Sequence, residues 1–172
     1  MQIITQNNQV IYEIKDTYGN VLFSYENEFL DLSDLDLTGA NLSGVVAEGF
    51  ICMDAKFVNA NLEKADLYMM MACYSDFTNA NLASSDLRGA NCKGVILQGT
   101  HLRNANLGKD NMGGAVRLQG ANLANANLDG VIWQETEYDD NTIFPNGFNP
   151  KDYDMIFVRT CSKSFICVKI KK

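Results

Sequence analysis

Residues 60–67 read Ala60-Asn61-Leu62-Glu63-Lys64-Ala65-Asp66-Leu67: a small residue, Asn or Asp, leucine, two variable positions, then the phrase again. Stepping by five from Leu62 meets an apolar centre every time. Before it stand Leu32, Leu37, Leu42, Ala47, Cys52 and Phe57; after it come Leu67, Ala72, Phe77, Leu82, Leu87, Cys92, Leu97, Leu102, Leu107 and Met112. Two positions before these centres sit Ala40, Val45, Ala55, Ala60, Ala65, Ala80, Ala90 and Ala105. Beyond Met112 the frame slips by one residue at Gly113-Gly114 and resumes at Leu118, Leu123, Leu128, Trp133 and Tyr138. A period of five fits neither the helical repeat nor simple strand alternation. Each unit therefore buries two side chains, exposes three and turns a corner.

Comparison at a spacing of twenty sets the number of units per turn. Leu42, Leu62, Leu82, Leu102 and Leu123 form an all-leucine column, and Leu37, Phe57, Phe77, Leu97 and Leu118 hold the phenylalanine centres. A third column runs Ala47, Leu67, Leu87, Leu107, Leu128; the fourth, Leu32, Cys52, Ala72, Cys92, Met112, Trp133, holds the small centres. Phe50 and Met70, two residues before Cys52 and Ala72, return the missing volume, as close packing requires. Four units per turn follow. Asp110 falls in the inward slot before Met112: either the turn bulges at Gly113-Gly114 and aims the carboxylate outward, the favoured reading, or an acid is buried with partners of its own.

Residues 31–144 resemble the pentapeptide-repeat family, whose units read A-[DN]-L-x-x. The resemblance implies an all-β fold, a right-handed quadrilateral β-helix of about 5–6 coils with short β caps at both ends, stacked at about 4.8 Å per coil. Residues 1–30 break the period. Gln2–Thr5, Gln9–Lys15 and Val21–Tyr25 read as strands joined by tight turns and form an N-terminal hairpin cap. In residues 145–172, Thr142-Ile143-Phe144-Pro145-Asn146-Gly147-Phe148-Asn149-Pro150 leads in with a pattern similar to the closing segment of cyanobacterial relatives; Met155–Thr160 and Ser164–Ile170 read as a second hairpin. That pattern points to a bacterial or phage source.

The chain has 172 residues, 14 Lys+Arg against 21 Asp+Glu, and a net charge of −7. An acidic chain repels phosphate, so no direct nucleic-acid ligand is expected. No apolar run is long enough for a membrane span and no secretory signal pattern opens the sequence, which predicts a cytoplasmic protein. The last 28 residues, 145–172, hold six Lys/Arg and two Asp, so charge is polarised along the rod.

Catalysis finds no support, and no enzyme, metal or cofactor is expected. His101 is the single histidine, in an outward slot beside Asn81 and Asn122 at the twenty-residue spacing. The five cysteines show no CxxC; Cys52 and Cys92 take inward centres and read as inert thiols. The family resemblance also implies a known role, mimicry of DNA toward a type II topoisomerase (gyrase or topoisomerase IV). Asp31, Asp36, Asp66, Asp76 and Asp86, however, occupy the slot where Asn or Asp belongs to the repeat itself, and the column Asp36, Lys56, Asp76, Ile96, Arg117, Glu137 is no acidic ribbon. A different feature departs from the repeat: Ile51, Met53, Tyr68, Met69, Met71, Cys73 and Tyr74 are apolar in slots that should be polar. They form a candidate patch for a protein partner or homodimer, or else are covered by a terminal hairpin of the same chain. The function expected is non-enzymatic protein binding or scaffolding.

Overall fold

The computed structural model describes residues 2–6, 9–25 and 31–159. From Asp31 the chain winds in turns of four five-residue sides. Parallel bridges join residues twenty apart, as in Asp31 to Ile51, Ile51 to Met71 and Asp66 to Asp86. Each centre donates its N–H to a carbonyl one turn above, as Leu62 to Asn81 at 2.7 Å; each residue before a centre donates one turn down, as Asn81 to Ala60 at 2.9 Å. Pairing between turns uses the backbone and leaves the centres facing inward.

The repeat consensus has a local cause. The Ala65 N–H closes a turn on the Leu62 carbonyl at 3.1 Å, and the corner residue Lys64 has a φ of 57°. That left-handed conformation favours Gly and Asn, which fill most corners, Asn79 and Gly94 among them. The slot before the centre meets a second need. Asn61 Oδ1 accepts from the Glu63 N–H at 3.1 Å, Asp76 from Thr78 at 2.8 Å and Asn106 from Gly108 at 3.0 Å. Each satisfies an N–H that the ladder does not reach, by an Asx turn.

The interior is a stack of buried centres. Leu62, Leu67, Leu82, Leu87, Leu102 and Leu107 are buried, and the Phe57 and Phe77 rings stack at 4.7 Å and 9°. Where Ser or Thr replaces alanine at the inner slot, its hydroxyl donates to a carbonyl: Ser85 to Leu82 at 2.7 Å, Thr100 to Phe77 at 2.8 Å, Thr136 to Leu107 at 2.6 Å. These three buried hydroxyls thereby keep partners.

Above Leu107 the structure corrects the sequence reading. Met112 is 80 % exposed and is no centre. The bridges run Asn91 to Arg117, Ile96 to Asn122, His101 to Asn127 and Asn106 to Ile132, a spacing of 26 rather than 21. A six-residue excursion, not a one-residue slip, interrupts the repeat; in a period of five the two leave the same phase. Leu118 therefore follows Cys92, Leu123 follows Leu97, Leu128 follows Leu102 and Trp133 follows Leu107. The column that starts at Asp36 continues from Ile96 to Asn122, and His101 lies between Asn81 and Asn127. Asp110 is also corrected: the excursion turns through Gly113-Gly114, but the carboxylate is not outward. It is 7 % exposed, and its Oδ1 accepts from the Met112 N–H at 2.8 Å and the Gly114 N–H at 2.6 Å.

At the N-terminal end, β1 (Gln2–Gln6), β2 (Gln9–Asp16) and β3 (Val21–Tyr25) form an antiparallel sheet. β2 pairs antiparallel with β4 (Ala40–Asn41), through Lys15 to Asn41 and Asp16 to Ala40, and Ile14 is fully buried in the core. At the other end, β5 (Thr136–Tyr138) pairs in parallel with β6 (Met155–Phe157), so β6 extends the parallel ladder. The expected strand Ser164–Ile170, and with it the hairpin it was to form with Met155–Thr160, lies outside the described residues. Trp133, Phe148 and Tyr153 pack over this end, with Phe148 and Tyr153 stacked at 4.6 Å and Trp133 5.4 Å from Phe148.

Candidate functional site

The side of the solenoid that carries Cys52, Ala72 and Cys92 as its inward centres is the one that breaks its own rules. In the slot before these centres the column runs Asp31, Ile51, Met71, Asn91, Arg117, Glu137. In the slot after them stand Ser33, Met53, Cys73 and Lys93. Ile51 and Met71 are stacked by a bridge, and Met53 and Cys73 occupy the matching outward slots of the same two turns. Met53 and Met71 are exposed; Ile51 and Cys73 are half-buried. Met69 and Tyr74 hold the two corners that bound this side, with φ of 57° and 63°. Tyr68 lies around the Met69 corner on the neighbouring side, its ring 5.4 Å from the Arg88 guanidinium carbon. Six of the seven residues are therefore on one side and its corners, and Tyr68 adjoins them.

Two local costs concentrate here. An apolar residue at 51 or 71 cannot make the Asx hydrogen bond, so the Met53 and Cys73 N–H groups have no acceptor among the described residues. Met69 and Tyr74 accept a backbone conformation that costs a side-chain-bearing residue about 1 kcal/mol relative to glycine. Above them the corners are glycines: a methyl group at Gly94 would lie 2.5 Å from Cδ1 of Tyr74, and one at Gly89 would lie 3.2 Å from Cγ of Met69. The missing side chains leave room for both to lie up the corner, Tyr74 remaining 66 % exposed. Single exceptions occur elsewhere, such as Val46 and Ile96. Between Ile51 and Tyr74 two exceptions of each kind meet, and Ile132 with Glu135 combines them once more near the C-terminal end.

The thiols behind this side are inert. Burial, the largest influence, pushes Cys92 up to about 12 and Cys52 higher still, despite the Ser75 hydroxyl beside Cys52. His101 is exposed. Among the described residues no group of three His, Cys, Asp or Glu side chains is placed to hold a metal ion, and no helix is long and apolar enough to cross a membrane. Elsewhere on the surface, Asp86 forms a bidentate pair with Arg88, with Oδ2 2.6 Å from the guanidinium. Burial opposes ionisation of Asp86, but the hydrogen bonds and charge of Arg88 outweigh it and hold the carboxyl below its ordinary value.

A family model for pentapeptide repeats matches residues 36–68 and 75–109, in eight copies. No curated protein matches the sequence. Among solved structures, a pentapeptide repeat protein from Nostoc PCC 7120 is 27 % identical, over 75 % of this chain and 85 % of that one, with a TM-score of 0.39. HetL, a pentapeptide repeat protein involved in heterocyst differentiation regulation in the same cyanobacterium, is 25 % identical over 73 % of this chain and 65 % of its own, with a TM-score of 0.37. QnrB1, a plasmid-mediated fluoroquinolone resistance protein, is 18 % identical over 64 % of this chain and 62 % of its own, with a TM-score of 0.30.

Proposed function

We propose that the chain, whose residues 36–68 and 75–109 match the pentapeptide-repeat family in eight copies, is a non-enzymatic protein-binding module whose contact surface is the side bearing Ile51, Met53, Met71 and Cys73, edged by Met69 and Tyr74. We take the solenoid as right-handed, with five to six turns over residues 31–144, capped by 1–30 and 145–172 and working in the cytoplasm. One observation carries the reading: on the side whose inward centres are Cys52 and Ala72, the slot before the centre is apolar on two successive turns, at Ile51 and Met71, and the two corners that bound the upper turn are the apolar Met69 and Tyr74. Local rules broken together, without a gain inside the chain, mark a surface kept for something outside it. Met and Tyr suit such a surface, being adaptable and amphipathic.

Met71→Asp tests this. Its side chain points outward, so the fold should persist with a melting temperature close to wild type at low protein concentration, while binding of an apolar dye such as ANS falls. A marked drop in melting temperature would mean that the chain covers this side itself, and the reading fails. The topoisomerase reading has no comparable observation behind it, since the corrected column Asp36, Lys56, Asp76, Ile96, Asn122 is not continuously acidic. Inhibition of gyrase supercoiling at stoichiometric protein would reinstate it.

A further inference from the structure

The apolar exceptions of this side also concentrate its sulfur. Met53 and Cys73 stand in the slot after the centre on successive turns, and Met71 stands in the slot before it on the upper of the two. The ladder pins them together. The Cys52 N–H donates to the Met71 carbonyl at 2.9 Å and the Asp54 N–H to the Cys73 carbonyl at 3.1 Å, which sets Met53 below Cys73. Successive turns lie about 4.8 Å apart, and residues two apart along one side about 6.7 Å apart. Three sulfur-bearing side chains therefore occupy three corners of a small rectangle, with Ile51 at the fourth. An apolar surface alone would be served by leucine or valine; here three of the four slots carry sulfur.

We propose that Met53, Met71 and Cys73 form a binding site for one soft monovalent metal ion, Cu(I). Thioether and thiolate donors select such an ion, and the four slots hold neither the imidazole nor the carboxylate that a zinc site draws on. Both methionines are exposed, and their unbranched, rotatable side chains let the two thioethers converge on the Cys73 sulfur. That thiol gives up little, since its contact with the Asn91 carbonyl is long, at 3.8 Å. On binding, the Cys73 S–H bond is replaced by an S–Cu bond, the proton passes to solvent, and no oxidation state changes. Cu(I) and thiolate cancel in charge, so the bound site is neutral among apolar neighbours. Met69 stays outside the site: its Cγ lies up the corner, 3.2 Å from where a methyl group on Gly89 would stand. Cys52 and Cys92 are sealed in the interior behind. The proposal is independent of the protein-contact reading, because replacing methionine by leucine removes the sulfur and keeps the surface apolar.

The test is anaerobic titration of the reduced full chain with Cu(I) against the chromophoric chelator bicinchoninate. Wild type is compared with Cys161→Ser/Cys167→Ser, which removes the two thiols near the C-terminus and serves as the reference for every further variant. The reference should withdraw one equivalent of copper per chain, and X-ray absorption at the copper edge should show sulfur neighbours alone. Outer partners of a metal ligand are already worth about 10–100-fold in affinity, so loss of a donor should cost at least about tenfold in Met53→Leu or Met71→Leu and at least about a hundredfold in Cys73→Ser. Met112→Leu, which changes an exposed thioether on the excursion above Leu107, should bind as the reference does. The leucine variants conserve volume at outward positions, so far-UV dichroism should confirm an intact fold and ANS binding should persist. A reference chain that withdraws no copper overturns the site. So does binding that is indifferent to Cys73→Ser or to either Met53→Leu or Met71→Leu, and so does a copper environment containing nitrogen or oxygen.

Discussion

Replacing Phe77 by alanine removes the side chain on which the middle turns are stacked. Phe77 is fully buried, lies face to face with Phe57 at 4.7 Å, and continues a column that runs from Leu37 to Leu97. Truncating a buried phenylalanine costs about 3–5 kcal/mol, of which the ring pair accounts for about 0.5–1.5 kcal/mol. Against the ~5–15 kcal/mol that typically holds a domain together, this is a large share. Phe77→Leu should cost about 1 kcal/mol, because its column already accommodates leucine at 37 and 97. Urea unfolding followed by far-UV circular dichroism measures both. Trp133, the single tryptophan and 4 % exposed, reports separately on the upper turns. In a solenoid each turn touches only its neighbours, so Phe77→Ala should lower the dichroism midpoint at least as far as the fluorescence midpoint. A loss below about 1 kcal/mol at unchanged slope would place Phe77 outside the interior and refute the five-residue frame.

Asp110→Ala removes the acceptor shared by the Met112 and Gly114 N–H groups; a loss of about 1–3 kcal/mol is expected, with faster proteolytic nicking between residues 108 and 114, and an unchanged melting curve and nicking rate would contradict the pinning role. The Asp86 carboxyl is held below its ordinary value, so its contribution is complete above the unfolded pKa near ~3.9 and fades as pH falls through the lower folded value. The advantage of wild type over Asp86→Asn, about 1 kcal/mol or less for so exposed a pair, should therefore be present at neutral pH and shrink below about pH 4. Urea unfolding at neutral and acid pH decides it, and an advantage that grows on acidification contradicts the sign.

The interior was legible because a repeat supplies its own control. Leu62 and Leu82 are identified as inward by many copies of one environment, and the same redundancy makes Met71 conspicuous where Asn belongs. The upper turns were misjudged for an arithmetic reason: a loop of six residues and a slip of one leave the same phase in a period of five, and apolar Met112 happened to fall in step. Asp110 could not be placed because what holds it is backbone N–H, which has no signature in composition. The role of Asn and Asp before each centre, acceptor for the N–H two residues on, likewise emerged only with the geometry. β6 was legible as a strand but not as a parallel one, since a three-residue run says nothing of its partner.

Cys73 stands on the proposed contact surface, while Cys52 and Cys92 are sealed behind it. The most direct test is the rate at which iodoacetamide alkylates Cys73, read by mass spectrometry on the native chain over a wide dilution series, with Cys52 and Cys92 as unreactive internal controls. The account predicts that Cys73, standing on an uncovered surface, reacts readily in dilute protein while Cys52 and Cys92 do not. A Cys73 as slow as the two buried thiols would mean that the chain covers this side itself and would contradict it.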